Sequence, residues 1–578
     1  MRGRRLRTLT CGVAAFVAAA GVLAACTGSS AKPAQATTVT TRAVPTINQG
    51  GDIVVAAGGE PGCMDWISTC AGSAWGIWTV QTNTMPRAYD FTRDNQYKPS
   101  ILLTGEAEVQ TGQEQVVTYH LNPRAVWNDG QPITSHDFKY TWDQVAHGQN
   151  IHDQSGYKNI VSVDDSDPHI AVVTFSQSFA DWRRLFGGSY GLLPSHLLEG
   201  QDRNALMKDG YTWSGGPWAL APAGWVRGQS IKLVPNPNYW GKKPDLASVT
   251  FRIFTDDGAE QRAFIAGEVL AAYPRPDPVS AGYRAGATTF VGVTAGLDYE
   301  ALWFDVQRAP MSTKAVRQAV AYSLDRGAIA TQLLGQLLPG VQPIQDLLPP
   351  AYGQFYFETF SKYRPDLTTA TQLMQGDGWA KDGEGMWTKG GVRATIEIKV
   401  PASSPGGTQL AQLIVTQLHG AGFVVAVTPE TPETLLTKDL PAGMFTAALY
   451  SVDLRRQLSA VPVGAGIDDN DPGLCRLFCS TSIPTPANGG LGANYGRVAD
   501  PTLDRYLADL DTNLSDSARL VDAEQAADIL AELVPAIPLF AVPDIVVVNT
   551  AKVGVEGGTF SHNLAYGPYE YLNEWYLR

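Results

Sequence analysis

Runs of strand-forming and helix-forming residues alternate along nearly the whole chain, and this alternation constrains the fold more than any other feature. Asp52–Ala57 (DIVVAA) and 115–121 (QVVTYHL) are β-branched runs of strand length. Thr134, Ser135, His136 and Asp137 form a capping-box pattern, and Phe138, Trp142 and Val145 follow at helical spacing. Further strands are predicted at 169–175, Ser230–Pro235 and 248–254. After Ser312 a helix places Val316, Ala319, Val320 and Leu324 on one face. A strand at 393–400, a helix at 408–418 and strands at 423–427 and 445–450 follow. The helix Asp516–Leu533 is stopped by Pro535, and a late strand is predicted at 545–548. The pattern is mixed α/β with no short internal repeat. At 578 residues the chain is too long for one simple core, so at least two lobes are expected.

The composition, 44% hydrophobic and 17% charged, is that of a folded globular chain. A formal net charge of −13 gives no electrostatic footprint for nucleic acid and repels an anionic membrane surface. Any membrane attachment therefore needs a separate device. No phosphate-binding Walker sequence and no H-E-x-x-H pattern is present, and the 8 His do not stand at metal-ligand spacing. No cofactor and no metal is expected. Gly187, Ser189 and Gly191 satisfy G-x-S-x-G formally, but a nucleophile elbow needs a strand before it, and a helical stretch at 182–186 stands there instead.

The attachment device is predicted at the amino terminus. Arg2, Arg4, Arg5 and Arg7 precede the apolar stretch 11–24 (CGVAAFVAAAGVLA). That stretch is short for a membrane span and fits an export signal over residues 1–25. It ends in Leu23-Ala24-Ala25-Cys26, which resembles the lipobox of bacterial lipoproteins, and implies acylation of Cys26 after cleavage. Loss of the leader takes the formal charge from −13 to −17. Two or more acyl chains on one residue anchor stably where one does not. Residues 26–49, rich in Thr, Ala, Ser and Pro, read as a flexible tether reaching about 25 Å. With Cys11 in the leader and Cys26 lipidated, Cys63, Cys70, Cys475 and Cys479 remain for disulfides. Four cysteines allow three pairings. Local pairing, Cys63 with Cys70 and Cys475 with Cys479, asks least of the chain, and Cys-x3-Cys as half a zinc site is the alternative.

Six segments, in order, carry a family resemblance. Residues 116–145 (VVTYHLNPRAVWNDGQPITSHDFKYTWDQV) hold a strand, a W-x-D-G-x-P-x-T turn built on Trp127, Asp129, Gly130, Pro132 and Thr134, and a helix. The others are GLLPSHLL at 191–198, GGPWAL with GWVRGQSIKLVPNPNYWGKKP across 215–244, LWFDVQRAPMSTKAVRQAVAYSLDRGAI at 302–329, and NYGRVADPTLD with PLFAVP at 494–504 and 538–543. Together they resemble the family 5 extracellular solute-binding lipoproteins of ABC importers, the group with dipeptide-, oligopeptide- and nickel-binding members. The composition has an actinobacterial look. Within the motifs, Asn236, Arg317, Asp325 and Arg326 read as packing and helix-fixing residues.

The resemblance implies a two-lobed periplasmic-binding-protein-like α/β fold (type II, cluster C) with a central cleft. Lobe I would comprise 50–88, 205–300 and 536–578, an inserted subdomain 89–204, and lobe II 301–535. A peptide or peptide-like solute would bind between the lobes and be handed to ABC permease subunits by a monomer. The protein would sit on the outer face of the cytoplasmic membrane. Ligand-binding residues are expected at Asp65 and Trp66 in the loop after the first strand, at Tyr450 and Asp453, and at Asn494 and Tyr495. Asp453 would pair with the solute's amino group, although the Trp and Tyr that flank this Asp in the family pattern are absent. Trp75 and Trp78 are further stacking candidates. Two rival readings are an envelope lipoprotein of the same fold that regulates or scaffolds, and a hydrolase acting through Ser189.

Overall fold

The chain is described here by a computed structural model, from Gly50 to Arg578, except residues 72–73, 93–95, 113, 152, 188–189, 277–279, 281, 284–287, 349, 403–404, 454–473, 489, 491, 561–562 and 564–565. Cys26, the leader, the tether and Ser189 lie outside the described residues.

Asp52–Ala57 pairs in parallel with Ser248–Ile253, and the sheet continues antiparallel through Ser230–Pro235 to Trp218–Val226. The alternating residues Ile53, Val55, Val249, Phe251, Ile231 and Leu233 are fully buried, as a sheet with one face on a core requires. Between these strands in sequence lies a second antiparallel sheet, ordered Glu108–Gln110, Gln115–His120, Ile170–Phe175, Ile160–Asp167, with the helix Ser135–His147 against it. The turn motif before that helix is locked by one buried carboxylate. Asp137 Oδ2 accepts the Thr134 amide at 3.0 Å and the Trp127 indole at 3.3 Å, and Oδ1 accepts the Ser195 amide and hydroxyl at 2.8 and 2.7 Å. Asn236 likewise pins its turn, donating to the Gly216 carbonyl at 2.9 Å and accepting from the Asn238 amide at 2.9 Å. One hydrophobic core draws on both sheets and on carboxy-terminal residues such as Val553, Tyr569 and Trp575.

A second core is built on a six-stranded mixed sheet, ordered Ala271–Ala272, Ala536–Asn549, Thr289–Phe304, Ala447–Asp453, Thr395–Pro401, Val424–Glu430. Its helices are fixed by buried arginines. Arg317 donates to the carbonyls of Met311, Leu533 and Val534, and Arg326 to those of Ile344, Pro538 and Phe360. Asp325 accepts from the Ala328 amide at 2.8 Å and caps the helix Arg326–Leu334.

Two long antiparallel strands, Thr289–Phe304 and Ala536–Asn549, belong to both cores. Phe290, Val546 and Val548 pack with the first core, while Tyr299, Leu302, Phe304, Ile537 and Leu539 lie in the second. Between these halves the register breaks: after Ala295↔Pro543 the next pair is Tyr299↔Ala541, so Gly296, Leu297 and Asp298 stand against Val542 alone. A bulge bends and twists a strand locally, and Pro543 at the break donates no ladder hydrogen bond. The two lobes therefore meet at a built-in bend. Gly296 is required there, because a Cβ would stand 2.5 Å from the Val542 carbonyl oxygen. Gly296→Ala is expected to cost about 1–3 kcal/mol, the scale of overpacking, read as a lower urea midpoint. An unchanged midpoint would mean the strands part freely at this point.

The described cysteines are paired locally, Cys63 with Cys70 and Cys475 with Cys479, with Cα separations of 5.5 and 4.6 Å. Among the described residues no helix is long and apolar enough to cross a membrane.

Candidate ligand cleft

The sheet order locates a crevice. From Thr395–Pro401 the chain crosses through the helix Pro405–Ala421 to Val424–Glu430 on one side. From Ala447–Asp453 it crosses in the opposite direction, past Thr289–Phe304, to Ala536–Asn549. Thr395–Pro401 and Ala447–Asp453 are parallel neighbours whose connections diverge, which makes a topological switch point. In open α/β sheets ligands bind outside the carboxyl ends of such strands. Here those ends are Pro401 and Asp453, and Asp453 pairs with Asp298, inside the register break between the lobes. The switch point of the second lobe thus lies at the register break between the lobes. The Asp453 side chain lies outside what is described; its backbone position is set by this register.

Next to it, Glu300 is paired with Ser451, whose hydroxyl donates to Glu300 Oε2 at 2.8 Å. Removal from water pushes the Glu300 carboxyl up to about 7. It stands two residues from Asp298 and so on the same face of the strand.

Tyr450 is half-buried on Ala447–Asp453, on the opposite face from Ser451. Its ring stacks on Trp303 with centroids 5.2 Å apart, and Phe478 stacks on Trp303 at 6.0 Å. Burial drives the Tyr450 hydroxyl well above its usual range and also raises that of Tyr495. Both rings share one small apolar cluster with Leu435, Leu440 and Phe445. The structure therefore brings Tyr450 and Tyr495 together.

From the first lobe the hinge is approached by an aromatic corner. Trp75, Trp78 and Tyr273 meet edge to face, with centroids 5.0 to 6.1 Å apart. The Tyr273 hydroxyl donates to Asp544 Oδ1 at 2.6 Å, and Asp544 pairs with Thr294 beside the register break. Gly58 and Gly59 let the chain pass flat against Trp75, where Cβ atoms would stand 3.1 and 2.8 Å from its ring.

Three expected ligand residues have structural work instead. Asp65 is fully buried, and Arg203 Nε donates to its two oxygens at 2.9 and 3.1 Å while Asn204 donates to Oδ2 at 3.1 Å. Trp66 is buried edge-on to Tyr211, and its indole donates to the Tyr211 hydroxyl. Asn494 is fully buried, donating to the carbonyls of Cys479 and Val498 and accepting from the Val498 amide. In each case the polar atoms are consumed by the protein. Asp298, Glu300, Tyr273 and Asp544 were not singled out from sequence; they come together only through the pairing of distant strands. For Ser189, the neighbouring described residues form a short 3-10 turn, Trp182–Arg184, rather than the strand an elbow requires.

The sequence model described as bacterial extracellular solute-binding proteins, family 5 middle, matches residues 103–472. The oligopeptide-binding protein OppA of Mycobacterium tuberculosis (strain H37Rv) is 26% identical over 452 residues, covering 74% of this chain and 70% of its own length. Among solved structures, the periplasmic EDTA-binding protein EppA superposes with a TM-score of 0.76 at 22% identity, covering 92% of this chain and 97% of EppA. The oligopeptide-binding protein AppA of Bacillus subtilis, in complex with a nonapeptide, superposes with a TM-score of 0.67 at 18% identity, covering 92% and 100%.

Proposed function

The chain belongs to the bacterial extracellular solute-binding proteins of family 5, and on that premise we propose that it captures a peptide or peptide-like solute for an ABC importer by closing its two lobes. The observation that carries the reading is the position of the switch point: the carboxyl end of Ala447–Asp453 stops at the register break of the crossing strands. A solute held there touches both lobes only when they are closed, so it draws the equilibrium toward the closed form. The membrane subunits of the importer then read that form. Asp453 is the anchor for the solute's amino group, since a buried ammonium requires a charge partner. Tyr450, Tyr495 and the corner of Trp75, Trp78 and Tyr273 form the aromatic walls. The name of the OppA relative and the nonapeptide bound to AppA support a peptide, and EppA marks a chelate as the other solute chemistry found on this fold. The family is one of substrate-binding proteins rather than enzymes.

With this reading go the lobe limits given above, a lipid anchor on Cys26 and a place on the outer face of the cytoplasmic membrane. Native mass spectrometry of the purified full-length chain is expected to show a co-purified solute, removable by partial unfolding. Small-angle scattering should then show compaction when a peptide pool is added back. No bound mass and no compaction with any pool would sink the capture reading and favour an envelope protein of the same fold.

A further inference from the structure

The two cores touch at a second place besides the crossing strands. The helices Pro501–Thr512 and Asp516–Leu533 pack in the second core, and their junction lies against residues 179–182 of the first. The Ala180 amide donates to the Asp511 carbonyl at 2.9 Å. Arg519 Nη2 donates to Asp181 Oδ1 at 2.8 Å. Leu514 packs against the first core. Arg519 is itself held in place: its Nε donates to the Leu510 carbonyl at 3.0 Å, and its guanidinium stands 5.7 Å from the centre of the Phe355 ring. The Arg519 side chain is 16% exposed and that of Asp181 is 42% exposed.

We propose that these contacts form a reversible clasp that biases the lobes toward closure before solute arrives. One main-chain hydrogen bond, one half-exposed ion pair and one apolar contact are each small, and the ion pair is screened by salt. The set is too weak to weld two lobes and strong enough to bias them. The consequence is quantitative. A solute that binds only the closed form has an apparent affinity scaled by the fraction already closed, so the clasp tightens capture without touching solute. Its parts come from segments more than three hundred residues apart in sequence; Arg519 is placed by its own lobe and Asp181 is the more exposed partner, so either can be removed singly. The inference rests on the hinge-closing reading above.

Amide exchange of the full-length chain in detergent tests it at one atom, because the Ala180 amide is a member of the clasp. In the ligand-free wild type this amide should be protected at low salt and exchange faster near roughly 1 M salt. Asp181→Ala and Arg519→Ala should each speed its exchange about tenfold, while the core strand Ile170–Phe175 keeps its protection. Asp181→Arg combined with Arg519→Asp should bring the protection back. Should Arg519→Ala fail to fold, Asp181→Ala carries the test from the exposed side. An Ala180 amide that is unprotected in the wild type, or unmoved by both single changes, or not restored by the swap, overturns the clasp. Solute capture measured on the same variants stands or falls separately: a lost clasp with persisting compaction on peptide leaves the transport reading intact.

Discussion

Replacing Asp453 by Ala is expected to weaken capture of a free-amino peptide by ~2–5 kcal/mol, the scale for removing one partner of a buried charge pair. The expectation follows from position. Asp453 ends a strand at the switch point, in register with Asp298, where the two lobes converge. A solute ammonium enclosed there loses its hydration shell, and only an ionised partner offsets that loss. N-acetylation of the peptide deletes the same interaction from the other side. It should therefore cost the wild type a similar amount and the Asp453→Ala protein little more, because the two changes are not independent. Titration calorimetry with a pentapeptide pool and its acetylated twin measures all four corners of the cycle. Compaction on binding with full tolerance of Asp453→Ala would keep the capture reading and discard this anchor.

Replacing Arg203 by Met should cost ~3–5 kcal/mol of stability, because it strands the carboxylate of Asp65 in the first core. Asp65 is fully buried, and two of its three hydrogen bonds from side chains come from Arg203. Neutralising Asp65 as well should recover much of the loss, since the penalty lies in the unpaired charge and not in the missing pair. Asp65→Asn with Arg203→Met is thus expected to unfold at a higher urea concentration than Arg203→Met alone. Equal midpoints for the two would mean that water reaches Asp65 and that it remains open to a solute. Binding of the peptide pool per folded molecule should be unaffected by either change, which separates a structural Asp65 from a ligand residue.

Much of the local structure was legible because short-range rules decide it. Asp52–Ala57, Ser230–Pro235 and Asp516–Leu533 run as their patterning predicts. The Asp137 turn, the turn pinned by Asn236 and the helix-fixing roles of Arg317 and Arg326 also follow from residue type and spacing. The crossing strands were another matter. Only 545–548 was expected as strand, yet the strand spans Ala536–Asn549. Pro538 and Pro543 argue against a long strand within a sheet, and here they sit where the pairing register breaks. Thr289–Phe304 was hidden by Gly292 and Gly296, which interrupt its β-branched run; of the two, Gly296 stands in the register break.

The candidate site divides along a similar line. The family resemblance pointed to Asp65, Trp66 and Asn494, but a carboxylate, an indole and an amide serve a core as well as a ligand. Which use they have depends on Arg203, Tyr211 and Val498, partners that only folding brings near. By itself the sequence determined the α/β class, the need for two lobes and the family, because periodicity, length and ordered motifs are properties of the chain; the strand expected at 445–450 instead runs Ala447–Asp453, so its end at Asp453 was set by pairing with Thr289–Phe304. Tertiary structure alone decided that Asp298, Glu300, Tyr273 and Asp544 gather at the hinge and that residues 511–519 meet 179–182. Those meetings arise from strand register and lobe docking between segments far apart in sequence, which no local pattern encodes.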